Sequence, residues 1–294
     1  MQLAVVAQRV TETNLGLVAA APQGIDFRLL SPVQALAQLG PGDAALGRLD
    51  VLPTLDGVDD GFGELGALAA RGVRTLNRAS TLLAAHDKLL TARVLSRAGL
   101  PHPRTRLLEP GRPLPELELP VVVKPRFGSW GRDVALCEDD RALLRHVAEL
   151  EQRPWYRRQG ALVQELVPSQ RDDLRSDLRL VVAGGTVVGA ISRVAQPGEW
   201  RTNVALGAAR VRTIPSPAAC ELAVRAAAAA GADLLGVDLL PNGSGGYCVL
   251  ELNGAVDFTS DYGLGRDPFA AAASELARVA LGHDAAPAEA QRIA

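Results

Sequence analysis

The chain has 294 residues, 48% of them hydrophobic, which is enough for packed cores and excludes a wholly disordered protein. Its 31 Lys and Arg residues balance 33 Asp and Glu residues, so no overall field marks a nucleic-acid-binding protein. No apolar run reaches the roughly 20 residues that cross a bilayer, and Leu3–Ala7 is too short for a signal peptide, which together predict a cytoplasmic protein.

Residues 1–78 are predicted to form an N-terminal parallel α/β lobe, since strand patterns alternate with helical ones. The segment Pro41–Gly47 is predicted to be a loop. The predicted elements are strands at Leu3–Ala7, Ile25–Leu30, Asp50–Leu52 and Val73–Leu76, and a helix over Gly63–Arg71.

Residues 79–160 are predicted to form a central lobe. Its first element is one helix over Ser80–Ala98, which begins at a Ser80 cap and ends at Gly99. The remaining elements are a proline-rich connector at Pro110–Pro120, a glycine loop between two short strands, and a helix over Asp139–Glu151.

Residues 161–294 are predicted to form a C-terminal lobe. Two apolar runs on either side of Gly184-Gly185 predict a hairpin, and the tail Asp284–Ala294 is predicted to be frayed. The other predicted elements are strands at Ala161–Val167, Leu234–Leu240 and Tyr247–Leu252, and helices over Pro217–Ala230 and Pro268–Leu281.

The most informative segment is the run from Val121 to Ala135. Three valines lead to Lys124, and a loop containing Gly128 and Gly131 leads into a returning strand. Glycine permits close backbone approach, so such a loop presents N–H groups and a cation to a polyphosphate. The alternative is a lysine at a sheet edge that extends its amine into water.

Three further groups of polar residues have both a surface interpretation and a functional one. Lys88 is a solvated helix residue or a ligand, and the segment Gln164–Val167 is a strand edge or a hinge that reads adenine. Arg179 and Arg193 lie on alternating strands and could share a face that captures phosphate or carboxylate. The alternative for these arginines is surface salt bridging.

Three oxygen-bearing residues lie in or next to apolar strands near the C-terminus. A carboxylate in such a strand is costly unless it is paired or bound to metal. Glu251 and Asn253 differ by two positions and share a strand face, and Asp238 lies on the preceding strand. Oxygen ligands of this kind suit Mg²⁺, and a buried salt bridge is the alternative.

In combination, these strings resemble the ATP-grasp superfamily of carboxylate–amine ligases, in the branch of the RimK-type glutamate ligases and the LysX-type carrier-protein ligases. The similarity runs from about Asn77 to Phe258. The matching strings, in family order, are Asp87-Lys88, Ala98-Gly-Leu-Pro101, Val123-Lys-Pro125, Gly128-Ser-Trp-Gly-Arg132, Gln164-Glu165, Asp177-Leu-Arg179, Arg201-Thr-Asn203, Gly236-Val-Asp238 and Glu251-Leu-Asn253.

The resemblance implies an α/β ATP-grasp fold, with an N-terminal pre-ATP-grasp lobe, and a position-by-position set of roles. ATP would contact Lys88, Lys124, the loop Gly128, Ser129, Trp130, Gly131 and Arg132, and the adenine segment Gln164, Glu165, Leu166 and Val167. Two Mg²⁺ ions, or Mn²⁺ in their place, would be held by Asp238, Glu251 and Asn253. The catalytic residues would be Arg179, Arg193 and Asn203.

The implied activity is formation of an amide through an acyl-phosphate, with glutamate or a related amino acid added to a carboxylate of a protein or of a small acidic carrier protein. Similar proteins form dimers or tetramers, and neither a nucleic acid nor a membrane is an expected partner. The alternatives are a ligase that makes a free dipeptide or a natural-product amide, and a nucleotide-binding protein without ligase activity. After Asn253 the sequence Gly254-Ala-Val256 departs from the carrier-protein ligases, which leaves the amine substrate open.

Overall fold

The computed structural model describes residues 1–168, 175–243 and 245–283. Within these ranges no helix is long and apolar enough to cross a membrane. The prediction of a frayed tail at Asp284–Ala294 lies outside the described residues.

The N-terminal sheet is parallel, with the strand order β2-β1-β3-β4. Its strands are β1 (Gln2–Val6), β2 (Asp26–Leu30), β3 (Ala44–Gly47) and β4 (Arg74–Leu76). The helices of this region are α1 (Glu12–Ala19), α2 (Pro32–Gln38) and α3 (Phe62–Ala70).

The third strand of this sheet is not where the sequence placed it. The predicted strand at Asp50–Leu52 is wrong, since Val51 makes only a single bridge to Val58. The strand is Ala44–Gly47, inside the segment predicted to be a loop. Its alanines have low strand propensity, but all four residues are buried between β1 and β4, where small side chains fit a sheet covered on both faces.

The predicted single helix over Ser80–Ala98 is two helices, α4 (Ala79–His86) and α5 (Lys88–Arg97). The break occurs at Asp87, which has extended backbone angles and accepts a hydrogen bond from Leu89 N through its Oδ1. Asp87 also forms an ion pair with Arg126, next to the glycine loop. The predicted Ser80 cap is also wrong, because the residue before α4 is Arg78, whose side chain makes no cap.

The central sheet is antiparallel, with the strand order β5-β8-β6-β7. Its strands are β5 (Thr105–Leu108), β6 (Val121–Pro125), β7 (Ala135–Cys137) and β8 (Ala161–Glu165), and the helices α6 (Asp140–Leu150) and α7 (Pro154–Gln159) pack on it. Because β8 pairs with β5 and β6, the central sheet extends past the predicted boundary at residue 160. The division into residues 1–78, 79–160 and 161–294 stays a prediction.

The C-terminal sheet is antiparallel, with the strand order β11-β10-β9-β12-β13. Its strands are β9 (Ser176–Ala183), β10 (Thr186–Val194), β11 (Ala209–Arg212), β12 (Leu234–Pro241) and β13 (Tyr247–Asn253), and its helices are α8 (Pro217–Ala230) and α9 (Pro268–Ala280). The predicted hairpin at Gly184-Gly185 is confirmed.

The two faces of the C-terminal sheet have different neighbours. Leu180 and Val182 pack in the core that contains α8. Val181 and Ala183 point the other way and share a core with α9 and with Leu3 of the N-terminal sheet. Alternation along β9 places Arg179 on the second face, so the polar cluster of this sheet lies on the side that packs against the N-terminal sheet.

Candidate functional site

A cavity of about 570 Å³ is lined by residues of both the central and the C-terminal sheets. All of the residues that the sequence singled out as site candidates line it, although they are spread over more than 160 positions. They are Lys88, Lys124, Gly128, Ser129, Trp130, Gly131, Arg132, Gln164, Glu165, Leu166, Val167, Arg179, Arg193, Asn203, Asp238, Glu251 and Asn253.

Lys124 is a buried cation in the floor of this cavity. Only 6% of the residue is exposed, and its Nζ donates to Gln164 Oε1 at 2.8 Å. Gln164 in turn donates from Nε2 to Thr105 Oγ1 at 2.8 Å, which fixes the amide orientation. Burial lowers the pKa of Lys124 to about 8. A buried amine with a single neutral acceptor is suited to gain an anionic ligand.

Lys88 is the first residue of α5 and connects three elements. Its Nζ donates to Gly128 O at 2.6 Å and lies 3.0 Å from Glu251 Oε1. The chain changes direction at Asp87, between α4 and α5, so Lys88 begins a new helix. Its side chain lines the cavity from this position. The alternative of a solvated helix residue is wrong, because only 11% of the Lys88 side chain is exposed. Its role as an ATP ligand stays a prediction.

The two predicted arginines share one face and meet at one carboxylate. Arg179 binds Asp238 through Nε and Nη2, both at 2.7 Å. Arg193 reaches Asp238 Oδ2 at 2.8 Å and also pairs with Asp177. Although burial opposes it, these two guanidiniums hold the pKa of Asp238 below its usual range. Asp177 also accepts from Thr202 Oγ1 at 2.6 Å, and burial raises the pKa of Asp177.

The donor set at the end of β12 and β13 has the chemistry of a divalent-cation site. Asp238 and Glu251 face each other across the two strands, and Asn253 follows on the same face as Glu251. Asp238 Oδ1 accepts one hydrogen bond and so keeps acceptor capacity. Within the described part of the chain, the buried Asn253 Nδ2 has no hydrogen-bond partner. The unpaired Nδ2 is a donor and does not ligate a cation, whereas the carboxylate oxygens of Asp238 and Glu251 and the Asn253 Oδ1 are ligand types that fit Mg²⁺. Ion pairs with Arg179 and Arg193 already account for the burial of Asp238.

The described residues contain no group of three or more His, Cys, Asp or Glu side chains that could hold a metal. A divalent ion at this site would therefore depend on the Asn253 amide and on oxygens of a bound phosphate as well.

The glycine loop lies against a second loop across the cavity. Arg201 Nη1 donates to Gly131 O at 3.3 Å, and a Cβ added at Gly131 would lie 2.7 Å from Asn203 Oδ1. Gly131 has a φ of +69°, a region that favours glycine. The Arg132 guanidinium stacks 4.6 Å from the centre of the Trp130 ring. These contacts place Asn203 beside the loop predicted to hold phosphates.

The predicted adenine segment, residues 164–167, lines the same cavity, but the Glu165 carboxylate is not entirely free to accept from a base. Glu165 Oε1 accepts from Arg104 N at 2.8 Å, so part of this carboxylate is already engaged by the backbone. Leu166 and Val167 follow β8, and the Leu166 N–H already donates to Pro120 O at 3.4 Å. The adenine-binding role of this segment stays a prediction.

Sequence reasoning did not select several other cavity residues, among them Asp50, Arg175, Arg210 and Tyr262. Arg210 pairs in register with Arg193 on the neighbouring strand, so a correct prediction of this strand pairing would have identified it. Asp50 has none, because it lies in a different sheet region nearly 40 residues before Lys88 along the chain.

A model of the RimK-like ATP-grasp domain matches residues 85–266. The chain belongs to this family. The glutamate–LysW ligase ArgX of Sulfurisphaera tokodaii is 31% identical over 198 residues, which are 65% of this chain and 68% of that protein. The coenzyme gamma-F420-2:alpha-L-glutamate ligase of Methanocaldococcus jannaschii is 30% identical over 222 residues, 69% of this chain and 73% of that protein.

A solved RimK-domain ATP-grasp protein of Sphaerobacter thermophilus superposes with a TM-score of 0.65 at 25% identity and covers 94% of this chain and 100% of its own. The predicted fold class and family are thereby confirmed. As a member of this family, the chain is an ATP-dependent carboxylate–amine ligase, and the alternative of a nucleotide-binding protein without ligase activity is set aside. The family uses ATP with a divalent metal.

Proposed function

We propose that this ligase adds L-glutamate, or a related acidic amino acid, through its amino group to a substrate carboxylate that ATP has converted to an acyl-phosphate. One observation carries the proposal. Two lysines, two arginines and three oxygen-bearing strand residues converge on one cavity, which is the charge pattern that a triphosphate and a reacting carboxylate require.

In this proposal Lys88, Lys124 and the glycine-loop backbone bind the phosphates, and Gln164 to Val167 line the adenine pocket. Asp238, Glu251 and Asn253 would hold two Mg²⁺ ions, with Mn²⁺ as a substitute. The metal supplies neutralisation of phosphate charge when it is bound. We expect Lys88 to exchange its contact with Glu251 for the phosphates, since the two groups are already 3.0 Å apart.

The chemistry proceeds in two displacements. An oxygen of the substrate carboxylate attacks the γ-phosphorus of ATP, and ADP leaves. The amino group first loses the proton of its ammonium form to solvent, and its nitrogen then attacks the acyl carbon. The bond from that carbon to the phosphate oxygen breaks, and the departing phosphate accepts the second proton from the nitrogen. The cavity is also lined by Arg179, Arg193 and Asn203. Their guanidinium and amide donors would stabilise the charge on the transferred phosphoryl group in the first displacement and on the tetrahedral intermediate in the second.

The acceptor carboxylate belongs to a small carrier protein or to a small molecule. The names of the relatives supply both kinds, a LysW protein in one case and coenzyme F420 in the other. Two cavity-lining arginines to which this proposal gives no other role, Arg175 and Arg210, favour an acidic acceptor. Assembly into dimers or tetramers and a cytoplasmic location stay predictions.

The test is a screen for ADP release with L-glutamate as the amine and three types of acid: N-acetyl-L-glutamate, γ-glutamyl peptides and poly-L-glutamate. Hydroxylamine in place of the amine traps an acyl-phosphate as a hydroxamate. Hydroxamate formation that depends on ATP and on one acid supports the proposal. If ATP is hydrolysed equally with and without every acid, and no hydroxamate forms, the proposal is wrong. Preference for poly-L-glutamate over the small acids would favour a protein acceptor.

A further inference from the structure

The chain has 31 Lys and Arg residues, and the two that are lysines, Lys88 and Lys124, both line the cavity. They come from different parts of the molecule. Lys124 lies on β6, whose backbone pairs with β8 in the central sheet. Lys88 begins α5, whose Leu95 packs in the core that contains α8 and strands of the C-terminal sheet. Two cations that bind one triphosphate need a fixed separation, so the site depends on how α5 is connected to β6.

One ion pair joins the end of β6 to the start of α5. Arg126 Nε donates to Asp87 Oδ1 at 3.2 Å, and Arg126 Nη2 donates to Asp87 Oδ2. A guanidinium that contacts both carboxylate oxygens fixes their relative orientation as well as their distance. The third nitrogen, Nη1, donates at 3.3 Å to the carbonyl of Gln159, the last residue of α7. Arg126 is thus attached to α7 and to Asp87 at once.

Asp87 transmits this contact to α5, because it is also the N-cap of that helix. Its Oδ1 accepts from Leu89 N at 3.0 Å, and only 2% of the residue is exposed. A buried carboxylate needs a partner, and within the described ranges Arg126 is the one cation that forms an ion pair with it. The pair therefore fixes the first turn of α5, in which Lys88 lies.

Lys88 itself is held at both ends by the segment that follows β6. Its backbone N–H donates to Arg126 O at 3.1 Å, and its Nζ donates to Gly128 O at 2.6 Å. With the ion pair of Asp87, three connections tie residues 87–88 to residues 126–128. The position of Lys88 is therefore set by the beginning of the glycine loop as well as by the packing of α5.

We propose that Arg126 is a positioning residue, which through Asp87 holds Lys88 at the separation from Lys124 that one triphosphate requires. Arg126 does not line the cavity, so it acts without touching ATP itself. This inference rests on the proposed function and deepens it, because it names a residue on which an ATP-binding lysine depends. The sequence analysis did not select Arg126, since the string Val123-Lys-Pro125 ends one position before it.

The first test is calorimetric titration, with Mg²⁺ present, of a non-hydrolysable ATP analogue and of AMP, which lacks the two outer phosphates. Lys88 lies 3.0 Å from Glu251, a proposed metal ligand, so we expect it to contact the outer phosphates, to which the metal binds. Arg126→Met should raise the Kd for the ATP analogue by about fivefold or more, since a charged hydrogen bond is weakened. The Kd for AMP should stay unchanged. Equal weakening of both nucleotides would indicate a merely structural role and overturn the inference.

Two further variants guard against a loss of folding, because Arg126→Met leaves the buried Asp87 carboxylate unpaired. Asp87→Asn combined with Arg126→Met removes both charges, and asparagine caps a helix as well as aspartate does. This double variant should show the same selective loss of affinity for the ATP analogue, and wild-type affinity in it would overturn the inference. Arg158→Met is the matched control, because Arg158 pairs with Asp56 at a 69% exposed position and does not line the cavity. Its two affinities should equal those of the wild-type enzyme.

A double-mutant cycle separates this inference from the proposed function. Lys88→Met should raise the Kd for the ATP analogue by about tenfold or more, since a charged contact is lost. In the Lys88→Met background, Arg126→Met should add less than about twofold. If the two effects multiply instead, Arg126 acts independently of Lys88, and only the positioning role is wrong. If Lys88→Met leaves the affinity unchanged, the phosphate-binding role that the proposed function gives to Lys88 is wrong, and the positioning role with it.

Discussion

Lys88 Nζ lies 3.0 Å from Glu251 Oε1, and this contact joins the start of α5 to the last strand of the C-terminal sheet. A lysine at a helix N-terminus is unfavourable by itself, because both carry positive charge. The contact with Glu251, and with the carbonyl of Gly128, offsets that repulsion. Lys88 and Glu251 thus form a largely buried ion pair. In the proposed complex, Lys88 would bind the triphosphate and Glu251 would bind the metal, so the pair would be broken.

Replacement of Glu251 by Gln should abolish turnover more than it weakens ATP binding. Loss of one metal ligand removes several kcal/mol of transition-state stabilisation, which corresponds to at least about a hundredfold in rate, whereas Lys88 and Lys124 still bind the triphosphate. Steady-state rates and ATP titrations measure the two effects. Glu221→Gln is the control, since Glu221 is 71% exposed in a pair on α8. Near-normal activity of Glu251→Gln would refute the metal role.

Asp238→Asn should be strongly destabilising. It leaves Arg179 and Arg193 without the buried carboxylate that both contact, and breaking a buried ion pair from one side costs about 3–5 kcal/mol. Asp261→Asn, in the exposed pair with Arg212, should change the free energy of unfolding by less than about 1 kcal/mol. Urea unfolding of both variants gives the comparison. Equal stability losses would contradict the network described here.

Affinity for ATP should fall as the pH rises above about 8. Burial lowers the pKa of Lys124 to about 8, so the free enzyme loses this charge above that pH, while a bound triphosphate favours the charged form. The Kd for ATP should therefore increase between pH 8 and 9.5, by at most about tenfold per pH unit. In Lys124→Arg the guanidinium stays charged and the dependence should flatten. A wild-type Kd that is constant up to pH 9.5 would count against a role for Lys124 in phosphate binding.

Acid should destabilise the protein through His86. This residue is buried against Leu49 O at 2.8 Å, and burial lowers its pKa to about 4. The unfolded chain then binds more protons between pH 6.5 and 4, so stability is lost as the pH falls through that range, by up to about 3 kcal/mol. Urea midpoints at pH 7, 5.5 and 4.5 measure the slope. His86→Gln should be shallower, and an identical slope would assign the acid sensitivity to other groups.

Gly131 and Gly128 should respond differently to alanine. A Cβ at Gly131 would meet Asn203 Oδ1 at 2.7 Å in a backbone region that disfavours side chains, so Gly131→Ala should displace the two facing loops and reduce kcat by about tenfold or more. At Gly128 the nearest atoms are 3.5 Å away, an ordinary contact. Gly128→Ala should keep most activity. Unchanged product formation in Gly131→Ala would count against a functional contact between the loops.

The sequence predicted the parts of the site that lie in characteristic strings. Short local patterns, each confined to one strand or one turn, were enough to select these residues as candidates. They are Lys124, the glycine loop, Asp238, Glu251 and Asn253. The shared face of Arg179 and Arg193 was also predictable, because strand alternation is strictly periodic. The structure brings all of these residues to one cavity, and their individual roles stay predictions.

The features that the sequence did not predict depend on contacts between residues far apart in the chain. Helical periodicity continues through Asp87, and the break there is stabilised by an ion pair with Arg126, nearly 40 positions away. The alanines of the strand Ala44–Gly47 have low strand propensity, and the strand is ordered by burial between two neighbours. Asp50 reaches the cavity only because the N-terminal sheet packs on the C-terminal one, a contact that no local pattern reports.

The most direct test of the central claim follows the oxygen of the substrate carboxylate. The acid that supports ADP release is labelled with ¹⁸O in its carboxyl group, and the phosphate produced with L-glutamate is examined by mass spectrometry. Activation as an acyl-phosphate predicts one ¹⁸O atom in each phosphate released, together with one equivalent of ADP for each amide formed. Unlabelled phosphate would contradict the account.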